Sequence, residues 1–123
     1  MTKIRPYRAA DYAAVVRLCE ECNVEPIQEY ALASGIALIY DRSGRIIGTV
    51  SAIYQGGKAY ADNLIVLGNS PHVANSLLEH LMTLLRFVGV HALCFAANQH
   101  FAELANRGSA KIIEDERVVF IEI

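Results

Sequence analysis

The feature that most constrains the fold is a change of hydrophobic period halfway along the chain. The first half contains three consecutive strand-like runs, at residues 36–41, 45–54 and 58–67, separated by short glycine-containing turns. Strands joined by such turns form an antiparallel meander. Over residues 71–88 the apolar side chains recur instead at the spacing of a helix. The chain therefore mixes a meander with one long amphipathic helix.

A second strand segment follows that helix. The apolar run at residues 91–97 fits a strand buried on both faces. A strand, a long helix and another strand in this order predict a right-handed crossover with a parallel pair. Residues 99–107 predict a short helix, and residues 111–123 one or two final strands with a turn at Asp115-Glu116. We expect an α/β fold with a mixed sheet of about six to seven strands, antiparallel in its first half, with a parallel pair after the long central helix.

The N-terminal third predicts one strand and two helices. Residues 3–8 read as a short strand. Asp11 can cap a helix over residues 11–22. A second short helix is predicted over residues 25–34, with Pro26 in its first turn.

Composition excludes several classes of protein. Hydrophobic residues make up 54% of the 123 residues and charged residues 20%, which is typical of a globular chain with one core. A net charge of −2 gives no basic excess for nucleic acid. No apolar run reaches the roughly 18 residues of a membrane span, and the N-terminus has no signal-peptide pattern. We expect a single domain over residues 1–123, cytoplasmic, with no nucleic-acid partner and no membrane partner.

The cysteines raise the question of a metal site. There are three, and this odd number argues against a disulfide framework. Cys19 and Cys22 form a C-x-x-C, but with Tyr12 and Val15 they lie on the apolar stripe of one predicted helix. A zinc site needs four ligands, and Cys94 and the histidines show no second paired spacing. Core packing is the favoured interpretation and no metal is predicted; metal or redox chemistry is the alternative.

The start of the long helix has two interpretations. In "LGNSPHVANSLL", Ser70 is a good N-cap and Pro71 a good first helical residue, so the stretch needs no ligand. A helix N-terminus after a strand also offers free N–H groups and partial positive charge to a phosphate. The residues alone leave both open.

The order of the predicted elements resembles that of the GNAT superfamily of acyl-CoA-dependent N-acetyltransferases. Four stretches carry the resemblance, which covers nearly the whole chain: "IRPYRAADYAAVVRL", "ALIYDRSGRIIGTVSAIY", "AYADNLIVL" and "HALCFAANQHFAELANRGS". They are similar to the family's first strand and helix, second and third strands, fourth strand, and fifth strand with its helix. The resemblance implies acetyl-CoA as co-substrate.

The phosphate-binding loop is degenerate by comparison with that family. The family's loop reads Q/R-x-x-G-x-G/A, and only Ala74 fits it, because Asn69 stands for the Gln or Arg and His72 for the first glycine. His72 adds a side chain where glycine would let a phosphate approach, and Pro71 removes one N–H donor. N–H groups of the next residues, or side chains, could still donate. The resemblance implies cofactor contacts at Leu64, Ile65, Val66, Asn69, Ser70, His72, Val73, Ala74, Asn75 and Asn98, the first three through backbone that pairs with pantetheine like an added strand.

Aminolysis of a thioester needs a base, and Asp62 is the best candidate. It lies two residues before Leu64 and four before Val66, so a regular strand would put all three on one face and raise the carboxyl pKa. Alternatively, Asp62 caps a loop or pairs with an arginine. Tyr60 shares the face of Asp62 and could position substrate or act as an acid, or simply pack.

The chain also departs from the family's pattern at the position of the usual general acid, a tyrosine. That tyrosine falls on Leu104 or Ala105, and neither can donate a proton. Asn98 could contact the cofactor as in the family, or only satisfy its own turn. Two functions follow: transfer of an acetyl group from acetyl-CoA to a primary amine of a small molecule or protein, or an inactive GNAT-fold binding or regulatory protein.

The acceptor and the oligomeric state are less constrained. Glu25, Glu29 and Tyr30 lie where the family builds its acceptor pocket and could attract a cationic amine, although a solvated helix face explains them equally well. The final strand "VVFIEI" would be sticky as a bare edge, so a homodimer through it is predicted.

Overall fold

The computed structural model describes residues 2–96, 111–113 and 118–122. The strands and helices are, in chain order, β1 Thr2–Pro6, α1 Tyr12–Glu21, α2 Glu29–Ala33, β2 Ile36–Arg42, β3 Arg45–Gln55, β4 Lys58–Val66, α3 Pro71–Phe87, β5 Ala92–Ala96, β6 Lys111–Ile113 and β7 Val118–Glu122. Short 3-10 turns at Ala9–Asp11 and Leu67–Asn69 precede α1 and α3. None of the helices in these ranges is long and apolar enough to cross a membrane.

The strands form one mixed sheet in the order β1-β2-β3-β4-β5-β7-β6. β1 to β4 are antiparallel neighbours, β4 and β5 pair in parallel, and β7 is antiparallel to both of its neighbours. The antiparallel first half and the parallel pair after the long helix are therefore confirmed. The hairpin turn between β2 and β3 is also as predicted, since Gly44 has a φ of 88° and Ser43 one of 53°.

Two expectations about the chain's ends need correction. The last strand is not a bare edge, because β7 lies between β5 and β6. The argument for a dimer through that strand therefore fails, and the homodimer itself stays a prediction. The helix predicted over 99–107 and the turn at 115–116 lie outside the described residues.

The second helix is shorter than predicted. α2 begins at Glu29, and Pro26 lies in the loop before it. The Tyr12 hydroxyl donates to the Ile27 carbonyl oxygen at 2.8 Å, and the Ile27 side chain is buried. These contacts fix the loop against α1 and delay the start of the helix.

α3 covers one face of the sheet. Its buried stripe includes Val73, Leu77, Leu81 and Leu85, which pack on the inner residues of β2 to β5. Gly48 of β3 lies under this helix, where a Cβ atom would be 3.0 Å from side-chain carbons of Leu77 and Val73. A glycine at this position lets the helix approach the sheet closely.

α1 and α2 cover part of the other face. Cys19 is buried there with Val15, Ile27, Leu32, Ala37 and Ile39, so its predicted core packing is confirmed. Cys22 instead follows α1 as its C-cap, half-buried, with its thiol 3.7 Å from the Val66 carbonyl oxygen. Burial raises the pKa of this thiol. Within the described ranges, no group of three or more His, Cys, Asp or Glu side chains could hold a metal ion.

Candidate functional site

The central feature of the candidate site is a β-bulge in β4. Ser51 of β3 pairs with Asp62, but Thr49, two residues earlier, pairs with Ile65, three residues later. One residue of β3 therefore faces two of β4, which defines a bulge. Asn63 lies in it with a φ of 55°. Bulges change the direction of side chains and can end strand pairing. The bulge at Asn63 therefore divides β4 into two segments.

The bulge overturns the predicted arrangement of side chains. Leu64 and Val66 are buried, at 8% and 2% exposure, whereas Asp62 is exposed. The expectation that Asp62 shares their face is wrong, because the extra residue moves all later side chains to the opposite face. Asp62 shares its exposed face with Tyr60, as predicted. Among the described residues, the Asp62 carboxyl group therefore does not have the buried, apolar surroundings that were expected.

Local hydrogen bonds fix the bulge. The Asn63 backbone N–H donates to Asp62 Oδ1 at 2.7 Å, and the Asn63 side-chain amide donates to Ser51 Oγ at 3.2 Å. Ser51 Oγ donates in turn to the Asp62 carbonyl oxygen at 3.3 Å. Sequence reasoning missed this bulge. The Asp-Asn dipeptide is nevertheless a signal for it, because asparagine tolerates positive φ better than other side chains.

Within the described residues, β4 pairs with β5 only as far as the bulge. The parallel pairing runs from Lys58 opposite Ala92 to Ala61 opposite Phe95. Beyond Ala61, no strand in the described part of the chain pairs with this edge of β4. The predicted cofactor residues Leu64, Ile65 and Val66 lie on this segment. A ligand that pairs like an added strand would use the backbone of such a segment.

The turn into α3 is a well-formed helix start. Ser70 is the N-cap, with its Oγ accepting the Val73 N–H at 3.3 Å, and Pro71 is the first helical residue. The Ala74 N–H bonds the Ser70 carbonyl oxygen at 3.1 Å. The predicted cap is therefore confirmed. In this structure the Val73 and Ala74 amides, two of the predicted cofactor contacts, have these acceptors within the protein.

Side chains around this helix start offer other donors. Asn69, with a φ of 52°, and His72 are both exposed. Arg42 and Arg45 of the β2–β3 hairpin line, with Ser70, a small cavity of about 180 Å³ beside the first turn. The Arg45 guanidinium pairs with the Glu21 carboxylate at 2.9 Å, in an exposed salt bridge. Sequence reasoning missed both arginines, because only the fold brings the hairpin next to α3.

The remaining predicted residues divide into two groups. Asn98, Leu104 and Ala105 lie outside the described residues. Of the acidic and aromatic residues expected at an acceptor pocket, Glu29 accepts a hydrogen bond from the Tyr7 hydroxyl at 3.1 Å. Tyr30 and Glu25 are exposed.

The comparisons with known proteins support the fold through similarity of structure and not through similarity of sequence. No protein-family model matches the chain, and no curated protein matches it by sequence. Among solved structures, the chain is similar to the PaiA N-acetyltransferase of Thermoplasma acidophilum in complex with coenzyme A, with a TM-score of 0.81, 11% identity, and coverage of 100% of this chain and 99% of the other. It is also similar to a GNAT family acetyltransferase from Brucella melitensis in complex with acetyl-CoA (TM-score 0.75, 13% identity, 100% and 88% covered).

A third similar structure is the ribosomal-protein-S18-alanine N-acetyltransferase of Escherichia coli, with a TM-score of 0.71, 19% identity, and coverage of 99% of this chain and 91% of the other. At these identities the likeness establishes the fold. The chain therefore has the GNAT fold.

Proposed function

We propose that this chain is an acyl-CoA-dependent N-acyltransferase that transfers the acetyl group of acetyl-CoA to a primary amine. The observation that carries the proposal is that the described pairing of β4 with β5 stops at Ala61, next to the Asn63 bulge, on the strand that leads into α3. Coenzyme A or acetyl-CoA is present in two of the similar structures. A fold alone does not establish an activity. The proposal therefore also rests on the residues of the site.

The residues present fit acetyl-CoA along β4. The backbone of Leu64, Ile65 and Val66 would pair with the amide groups of the pantetheine arm, which closes the open edge. Such pairing uses main-chain groups and tolerates any side chain compatible with the core.

The phosphate end of the site would depend more on side chains than on backbone. Ser70 Oγ accepts the Val73 N–H, so this N–H already has a partner. The side chains of His72 and Asn69 are the donors that we propose for the phosphates. The guanidinium groups of Arg42 and Arg45 supply positive charge beside the same turn. Asn75 and Asn98 complete the proposed contacts.

Asp62 would act as the base on the exposed face. Its carboxylate accepts a proton from the amine, directly or through one water molecule. The amine nitrogen then forms a bond to the acyl carbon while the carbon–sulfur bond breaks, and the departing thiolate takes a proton from water. Tyr60, two residues away on the same face, would position the amine.

Calorimetric titration with acetyl-CoA tests the proposal. We expect saturable binding at micromolar ligand, and weaker binding of 3′-dephospho-CoA. Replacing Arg42 by Gln should weaken binding about tenfold, as loss of a charge-assisted contact does, whereas Arg17→Gln on the exposed side of α1 should change nothing. No binding at millimolar ligand would contradict the proposal. It would favour the alternative of a binding or regulatory protein. In that alternative the Ser70 cap has a structural role alone.

His72 provides a second test of the phosphate end. Replacing His72 by Gly should tighten acetyl-CoA binding if the side chain obstructs the pyrophosphate. Weaker binding would show instead that the imidazole is itself a phosphate ligand. The acceptor's identity as a small molecule or a protein, and the cytoplasmic location, stay predictions from the sequence.

A further inference from the structure

Two arginines face each other at the tip of the β2–β3 hairpin. Arg42 and Arg45 are directly opposite partners in the antiparallel register, so their side chains lie on the same side of the hairpin. Like charges in this arrangement repel each other and destabilise the strand pair. The tip itself is fixed, because the Gly44 N–H donates to Asp41 Oδ1 at 2.8 Å. The fold therefore holds two positive charges close together.

Both arginines line the small cavity beside the first turn of α3, together with Ser70 and Val73. Both are exposed, and none of the described residues that line this cavity carries a carboxylate. An anion bound here would contact both guanidinium groups and relieve the repulsion between them. The phosphates of acetyl-CoA are such anions in the proposed function.

Glu21, the last residue of α1, neutralises only one of these two charges. Its Oε2 accepts a hydrogen bond from the Arg45 guanidinium at 2.9 Å. Arg42 has no ion-pair partner among the described residues. The side chains of Arg45 and Glu21 are 65% and 37% exposed, so water screens their attraction and the pair contributes little to stability. An anion of higher charge can therefore take Arg45 from Glu21 at small cost.

The end of α1 is fixed beside the proposed cofactor segment. The Cys22 thiol lies 3.7 Å from the carbonyl oxygen of Val66, the last residue of β4. The Val24 N–H bonds the Cys19 carbonyl oxygen at 3.0 Å, which closes the helix after Glu21. The Glu21 carboxylate would therefore stay near the cavity even after its contact with Arg45 is broken.

We propose that Glu21 sets the affinity for acetyl-CoA by competing with the cofactor's phosphates for Arg45. Glu21 holds the guanidinium in the free protein, and the phosphates take it over in the complex and also contact Arg42. The Glu21 carboxylate then stays beside them as a like charge, which opposes binding and favours release of CoA after transfer. This inference rests on the proposed function, because it requires acetyl-CoA at the first turn of α3.

Calorimetric titration of Glu21→Gln with acetyl-CoA tests the competition. The variant keeps the shape of the side chain and removes its charge, so the Kd should fall about threefold, on the scale of an exposed ion pair. Glu20→Gln is the matched control, because it removes the same charge from the adjacent exposed residue of α1, which does not pair with Arg45. Its Kd should equal that of the unchanged protein. A Glu21→Gln variant that binds no tighter than Glu20→Gln would overturn the proposal.

A double-mutant cycle assigns the effect to Arg45. In an Arg45→Gln background, Glu21→Gln should no longer tighten acetyl-CoA binding, because no guanidinium is left to release. Arg45→Lys keeps the positive charge, so in that background Glu21→Gln should still tighten binding. These side chains are exposed, so urea unfolding should show little change in stability for any of the variants. A tightening of equal size in the Arg45→Gln background would overturn the competition, since it would not pass through Arg45.

The same titrations separate this inference from the proposed function. If neither the unchanged protein nor any variant binds acetyl-CoA, both are overturned. If the unchanged protein binds acetyl-CoA saturably and Glu21→Gln has the same Kd, the competition alone is overturned and the transfer proposal stands. Tighter binding by Glu21→Gln that disappears in the Arg45→Gln background supports both.

Discussion

Two aspartates show how differently two regions of this molecule use the same side chain. Asp11, at the junction of β1 and α1, is buried and accepts hydrogen bonds from both terminal nitrogens of Arg5, at 2.7 and 2.9 Å, and from the Arg8 N–H at 2.8 Å. Asp62, at the bulge of β4, is exposed and accepts the N–H of the adjacent Asn63. One carboxylate joins two elements, and the other faces solvent beside an open strand edge.

The difference follows from the backbone around each residue. β1 and β2 keep a continuous register, and Arg5 lies between Asp11 and Asp41 where the chain turns into α1. The hydrogen bonds with Arg5 lower the pKa of Asp11, so this group does not accept a proton near neutral pH. The bulge, by contrast, breaks the register of β4 directly after Asp62, which is exposed to solvent. We expect the first aspartate to govern stability and the second to govern turnover.

The sharpest test of this comparison replaces Asp62 by Asn. If Asp62 is the base, turnover should fall by roughly 10²-fold or more, since general-base catalysis contributes on that scale. Affinity for acetyl-CoA and the free energy of unfolding should change little, because the residue is exposed. Steady-state kinetics with a primary amine measures the effect, and Glu20→Gln on the exposed side of α1 is the control. Unchanged turnover would remove Asp62 as the base.

The converse test replaces Asp11 by Asn. Breaking a buried ion pair leaves the Arg5 guanidinium without its main partner and should cost about 3 kcal/mol of unfolding free energy. Acetyl-CoA affinity of the folded fraction should be unchanged. Urea unfolding followed by circular dichroism measures the loss. A cost below about 1 kcal/mol would mean that Asp41, 3.4 Å from Arg5, compensates for the missing partner.

The pH dependence of stability gives a second measure of the same pair. The folded pKa of Asp11 lies below the ordinary value of 3.8, so the unfolded chain binds the proton more readily. The stabilisation by this pair is complete above about pH 4 and is lost as the pH falls through the folded pKa. Unfolding free energies between pH 6 and pH 3 should therefore decline less steeply in Asp11→Asn than in the unchanged protein. Identical slopes would contradict the assignment.

The sequence predicts most of the fold because hydrophobic period and turn residues are local signals. The meander, the long helix and the parallel strand after it could all be predicted in this way. The faces on which the side chains of β4 lie could not be predicted. One extra residue at Asn63 reverses every later side chain of the strand, and the composition of the segment does not reveal it. Nor could the two arginines near α3, since residues 42 and 45 reach that helix only through the hairpin.

The bulge itself can be tested at Asn63. Asn63→Val places a β-branched side chain at a φ of 55° and should cost about 2 kcal/mol of stability, whereas Asn63→Gly should cost much less. If the bulge opens the cofactor cleft, Asn63→Val should also weaken acetyl-CoA binding in the fraction that stays folded. Thermal unfolding and calorimetric titration of both variants measure these effects. Equal stability of the two variants would show that the strand relaxes to a regular register.

The smallest expected effect is the most informative about the phosphate end. Ser70→Ala removes the cap that holds the Val73 N–H and should cost the free protein about 1 kcal/mol. If a phosphate takes over that N–H when acetyl-CoA binds, the cost should vanish at saturating ligand, which is equivalent to about fivefold tighter binding. Unfolding with and without acetyl-CoA measures the difference, with Ser76→Ala further along α3 as the control. An equal loss in both conditions would mean that the Val73 amide belongs to the helix cap alone, and that side chains such as His72 and Arg42 hold the phosphates.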